Sequence, residues 1–265
     1  AVAPQIPSLC APHTMIVTTQ NGIPWWYFHK NPALRGELAD KLKGRRLESV
    51  DPGGVIEANI DIDRVIGCVV YPACEIAAPG VIRHIEGNRF PLAEIDGSDS
   101  ERVKTLAQAF RDAGFKSPIL SDIRSEIWLK LWGNLSFNPI SALTHATLVD
   151  ICQFAPTRDL AANMMREAQQ IGEKLGIHFK VSLERRIAGA EGVGKHKTSM
   201  LQDVEAGRAL GGSGTGLLLV GSVAELGRMT GTQTPNIDAI YAVTSLLAKT
   251  LQAANARLQI PGTSA

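Results

Sequence analysis

Residues 126–144, EIWLKLWGNLSFNPISALT, constrain the fold more than any other stretch of the chain. At about 100° per residue, Ile127, Trp128, Leu131, Trp132 and Leu135 cover most of the girth of a helix. Glu126, Lys130, Asn134 and Asn138, spaced by four, form a single polar stripe on it. A helix apolar on most of its circumference belongs in an interior, so the stripe faces either a polar cavity or a narrow strip of solvent. Spacing alone also fits a solvated edge with an i,i+4 pair between Glu126 and Lys130. Asparagine is a poor mid-helix residue because its amide competes for backbone hydrogen bonds, so two of them on the lysine's face suggest side chains kept for what they bind. An ammonium and two amides suit a small oxyanion or a polarised carbonyl. Burial would lower the lysine's pKa and Glu126 would raise it, and spacing does not rank the two.

The pattern of the chain changes near this helix. Before residue 121, β-branched runs are punctuated by turns. MIVTTQNG stops at Asn21-Gly22, RVIGCVVYP follows, and GVIRHIEG with FPLAEID reads as a hairpin around Gly87-Asn88. Helical stretches near 32–43 and 100–113 separate them, which implies an α/β layer. From about 121 onward the periodicity is helical: 121–148, 157–175, 180–190, 197–209, 217–230 and 235–256. The expected division is an α/β domain over residues 1–120 and an all-α domain over 121–265, joined at SPILSD, with Ser121 or Asp122 capping the long helix. GGSGTG at 211–216 has the composition of a flexible joint.

With a net charge of +1 over 265 residues, nothing in the global balance points to nucleic acid or a membrane surface. Four cysteines, at 10, 68, 74 and 152, make no C-x-x-C pair, and no histidine cluster has metal-ligand spacing, so neither zinc nor a disulfide framework is expected. Reduced thiols and the lack of a signal peptide favour the cytoplasm. The partners expected are a small molecule and a second copy of the chain. LLLVGSVAELGRM and NIDAIYAVTSLLAKTL carry more apolar surface than one exposed face should, which predicts a homodimer.

Four motifs in order, QNG closing a strand, PGVIRH, WLKLWGNLSFNPISALT and HKTSMLQDVEAGR, resemble the ketopantoate reductase family over nearly the whole chain. The resemblance implies a Rossmann-type, NADP-binding N-terminal domain, an all-α C-terminal domain and an active site in the cleft between them. Its implied activity is NADPH-dependent reduction of 2-dehydropantoate, or a related small 2-keto acid, in pantothenate and coenzyme A biosynthesis. There are two departures. The family's G-x-G-x-x-G turn is absent, and AVAPQIPSL matches the helix before the QNG strand, so the nucleotide domain is expected to be incomplete in this chain. The family's catalytic-site glutamate falls on Gly211. Those two absences leave open a noncatalytic dimerising or ligand-binding remnant.

By resemblance Lys130 is the catalytic residue, stabilising or protonating the carbonyl oxygen as hydride arrives. Asn134, Asn138 and Ser199 orient substrate, and Asn21 lies where nicotinamide and substrate meet. Each has a plainer explanation: Ser199 as a helix N-terminal residue, Asn138 before Pro139 as a helix end or kink, Asn21 as a turn residue. His84, alternating with Ile82 and Ile85, and the pair Trp25-Trp26 read as structural.

Overall fold

The computed structural model describes residues 2–210 and 216–259. Strands β1 (Ile16–Thr18), β2 (Val65–Cys68) and β5 (Leu92–Glu94) form one sheet in the order β1-β2-β5, with β1 parallel and β5 antiparallel to β2. Strands β3 (Ala73–Ala78) and β4 (Val81–Glu86) form a separate antiparallel ribbon. Helices α1 (Gly36–Leu42), α2 (Val55–Asn59) and α3 (Glu101–Asp112) accompany the strands. Then come α4 (Ile123–Thr144), α5 (Leu148–Gln153), α6 (Ala155–Lys174), α7 (Leu183–Gly192), α8 (Ser199–Ala206), α9 (Gly216–Thr230) and α10 (Pro235–Ala254).

Helix α4 is the axis of the helical half, packing against α5, α6, α7, α8, α9 and α10 as well as β5. The Asp122 side chain accepts from the Ser125 N–H and caps it, as the sequence predicts. Its first turns are tied to the strand region. The Arg124 guanidinium donates to the carbonyls of Tyr27, His29 and Ile95, and Trp128 Nε1 donates to the Tyr27 hydroxyl at 2.8 Å. Gly67 in β2 has no side chain because Ile123 and Trp26 press on it: a Cβ there would meet each at 3.2 Å. Trp25, Trp26, Tyr27 and Val65 consequently share one core with Ile123, Trp128, Leu131 and Trp132. Trp25 and Trp26 are packing residues, as predicted.

Several expectations need correction. The hairpin turns at Pro79-Gly80, pairing β3 with β4, while Leu92–Glu94 pairs with β2. Gly80, with φ +75°, supplies the left-handed turn conformation there. AVAPQIPSL forms two short 3-10 turns, Ala3–Gln5 and Pro7–Leu9, because Pro4 and Pro7 interrupt a longer helix. The predicted 121–148 helix is two: it runs through Pro139 without ending, stops at His145 in the left-handed conformation (φ 59°), and α5 starts three residues later. Along SPILSD, the backbone of 116–120 hydrogen-bonds the segment around β5. Within the predicted 217–230 and 235–256 helices, α9 turns its apolar residues inward, with Leu219, Val220, Val223, Ala224 and Leu226 all buried. Among the described residues no helix is long and apolar enough to cross a membrane.

Candidate active site

Two elements place Lys130. Its Cα lies in the second turn of α4, whose start Arg124 holds against the strand region, and its ammonium donates to the carbonyl of Val70, just beyond the C-terminal end of β2. In α/β sheets that end is where ligands gather. The ammonium lies 5.5 Å from the centre of the Tyr71 ring. Burial pulls the Lys130 pKa down to about 8, with only the buried Cys68 thiol opposing it. Desolvation raises that thiol to about 11, so it stays protonated beside the lysine at neutral pH.

The i,i+4 pair between Glu126 and Lys130 does not form. Glu126 instead accepts from the Tyr71 hydroxyl at 2.7 Å and pairs with Arg89, whose guanidinium lies 4.9 Å from the Tyr71 ring centre. Removed from the lysine in this way, the carboxylate leaves desolvation to decide its pKa. Burial and Glu126 together push the Tyr71 hydroxyl above its ordinary pKa, so Tyr71 remains a neutral donor.

Two turns further along α4, Asn138 is buried, and its Nδ2 donates to Ser199 Oγ at 3.4 Å. Ser199 is the first residue of α8, capped not by itself but by Thr198, whose side chain accepts from the Leu201 N–H. Its hydroxyl is therefore spared the capping task. Asn134 lies half-buried between Lys130 and Asn138, with no hydrogen bond to the described residues. Asn21 is exposed after β1, the strand parallel to β2, and hydrogen-bonds none of the other four. Gly22, beside it, has φ +83°, and a Cβ there would stand 2.1 Å from Leu219 Cδ2, which brings the QNG turn onto α9. The structure thus joins Asn138 to Ser199 and Lys130 to β2, and leaves Asn21 apart. Gly211, where the family's glutamate would fall, lies outside the described residues.

Sequence reasoning missed Tyr71 and Cys68 beside the lysine, and Arg89, which draws Glu126 away from it. Tyr71 and Cys68 flank the end of a strand already visible in the pattern, but which residue of α4 they meet depends on the pairing of distant segments. His84, in β4, is exposed and bonds locally to the Gly87 carbonyl. A cavity of about 500 Å³ near Asn31, Arg35, Glu94, Asp122 and His178 is lined by none of the predicted site residues. No cluster of three or more His, Cys, Asp or Glu among the described residues is placed to hold a metal.

The fit to a nicotinamide rests on one observation: the exposed Asn21 amide and the Lys130 ammonium stand at the C-terminal ends of adjacent parallel strands. No G-x-G-x-x-G accompanies it in these 265 residues.

Comparison with known proteins places the chain in a family. Residues 122–248 match the family described as "Ketopantoate reductase PanE/ApbA C terminal". A 2-dehydropantoate 2-reductase from Mesorhizobium japonicum is 54% identical over 244 residues, 92% of this chain and 72% of that protein. A crystal structure bearing the ketopantoate reductase name, from Ralstonia solanacearum, superposes with a TM-score of 0.84 at 37% identity, covering 94% of this chain and 73% of that one. A D-mandelate dehydrogenase solved with NADH has the same fold, with a TM-score of 0.74 at 17% identity over 94% of this chain and 75% of that one. Its fold is a Rossmann domain followed by a helical domain, and the chain belongs to the ketopantoate reductase family.

Proposed function

We propose that the protein reduces 2-dehydropantoate, or a closely related 2-keto acid, to the 2-hydroxy acid, with NADPH as the nicotinamide cofactor and Lys130 as the proton donor. The observation that carries this is the Lys130 ammonium: burial lowers its pKa to about 8, the Val70 carbonyl fixes it, and Asn134 and Asn138 share its helix face. A bound nicotinamide supplies the hydride.

The chain's own residues do the rest. One Lys130 N–H is taken by Val70, which leaves two to face a substrate oxygen. As negative charge grows on that oxygen, the ammonium stabilises it and passes a proton to it, leaving an amine that solvent reprotonates. A donor with a pKa near the working pH is efficient in this role. The Asn138–Ser199 pair and Asn134 orient the substrate's polar groups, and Asn21 would help to hold a bound nicotinamide. The functional division proposed is 1–120 for the nucleotide and 121–265 for the keto acid and the dimer contact. A homodimer is supported by α10, where Val243 is 49% and Leu246 64% exposed. A noncatalytic role is not favoured, because the Lys-Asn-Asn face and Ser199 are all present and ordered.

Consumption of NADPH with 2-dehydropantoate tests the assignment. Turnover with 2-dehydropantoate that Lys130→Ala abolishes is the expected result, and turnover surviving that substitution would overturn Lys130's role.

A further inference from the structure

Arg186, in α7, is a cation without a partner. Among the described residues its side chain makes no hydrogen bond or ion pair, and its Nε is fully buried and unsatisfied. Its seat is Gly133. A Cβ built on that glycine would stand 2.1 Å from Arg186 Nη2 and 2.9 Å from Cζ, so the guanidinium rests on the bare backbone of α4. That point is three residues past Lys130 and next to Asn134. Glycine inside a buried 22-residue helix lowers its stability relative to alanine, and the space that its missing side chain leaves is the space the guanidinium fills.

Among the described residues no carboxylate pairs with Arg186. Glu126 is already held by Arg89 and Tyr71. Desolvation lowers the Arg186 pKa. The Tyr71 ring is already shared by two other cations, Lys130 and Arg89. Arg186 is half-buried, with its Nε shut away from solvent and both Nη groups left open to a ligand, and a planar guanidinium fork matches a carboxylate.

We propose that Arg186, seated on Gly133, anchors the carboxylate of the keto-acid substrate while Lys130 faces its keto oxygen. The two oxygen groups sit on adjacent carbons of a 2-keto acid, and positions three apart on a helix differ by about 4.5 Å along its axis. The Asn138–Ser199 pair then serves the far, hydroxyl-bearing end of the substrate. This rests on the keto-acid function proposed above.

The test compares binding of α-ketoisovalerate and its uncharged methyl ester by calorimetry, with and without NADPH. The native protein should prefer the acid at least tenfold. Arg186→Met should erase that preference while leaving ester binding unchanged. Gly133→Ala should erase it too, because it displaces the guanidinium without removing its charge. Both variants should melt no lower than the native protein, since one loses a buried, unsatisfied Nε and the other gains a better helix former. Were the acid preference to survive in Arg186→Met, or that variant to melt clearly lower, Arg186 would be a packing arm and the proposal overturned, with the keto-acid function untouched. A native protein that showed no preference for the acid would overturn that function itself.

Discussion

At Lys130, three local facts set the chemistry: the Val70 carbonyl fixes the ammonium, the Tyr71 ring lies beside it, and Glu126 is turned away toward Arg89. If the ammonium is the proton donor, Lys130→Ala lowers kcat by at least about a hundredfold with folding intact by circular dichroism. The pH profile follows from the sign of the shift. A donor with a pKa of about 8 loses its proton as pH rises, so kcat/KM should fall above about pH 8 in a stopped-flow titration. Stability runs the other way. The folded pKa lies below the ordinary 10.5, so between about 8 and 10.5 the unfolded chain holds more protons and stability rises with pH. Lys130→Met should therefore melt above the native protein at pH 7, and the gap should close as pH rises through that window. Asn138→Ala should raise KM more than it lowers kcat, because an amide that binds ground and transition states alike contributes to both. A larger loss in kcat than in KM would place Asn138 in the transition state instead.

Helix α4 joins the two halves through its first two turns. Arg124 is buried and satisfied by three backbone carbonyls from two separate segments, with desolvation lowering its pKa to about 10. Arg124→Ala leaves those carbonyls unpaired. The expected loss is on the order of 3 kcal/mol in urea unfolding, against a few tenths for an exposed arginine such as Arg185. Similar long-range capping holds α10: the buried Glu167 carboxylate, from α6, accepts from the N–H groups of Asn236 and Ile237 and from the Asn236 amide. No local pattern marks Glu167 or Arg124 for these tasks. Each reads in sequence as one charged residue on a helix, and its partners lie from 29 to 97 residues away.

Over the whole molecule, the apolar surface divides unevenly between the last two helices. α9 is spent inside the core, and α10 presents Val243 and Leu246 to solvent. A dimer built on that face should give twice the chain mass in light scattering at micromolar concentration, and Leu246→Glu should return it to a monomer. A monomeric native protein would remove the dimer from the proposed function.

The change from an α/β half to a helical half was legible from residue pattern alone, because helix and strand periods differ and α4's apolar girth demanded an interior place. The Lys130, Asn134 and Asn138 face was legible too, since spacing of four on a helix is local geometry. The family followed from ordered motifs carried by those same residues. What pattern could not settle is whatever depends on contacts between distant segments. The pairing of β5 with β2, the break at His145, the diversion of Glu126 to Arg89 and the guanidinium lying on Gly133 all belong to that class. Local sequence fixes which face a side chain occupies; only the packed fold decides which partner meets it there, and burial then sets the charge it carries.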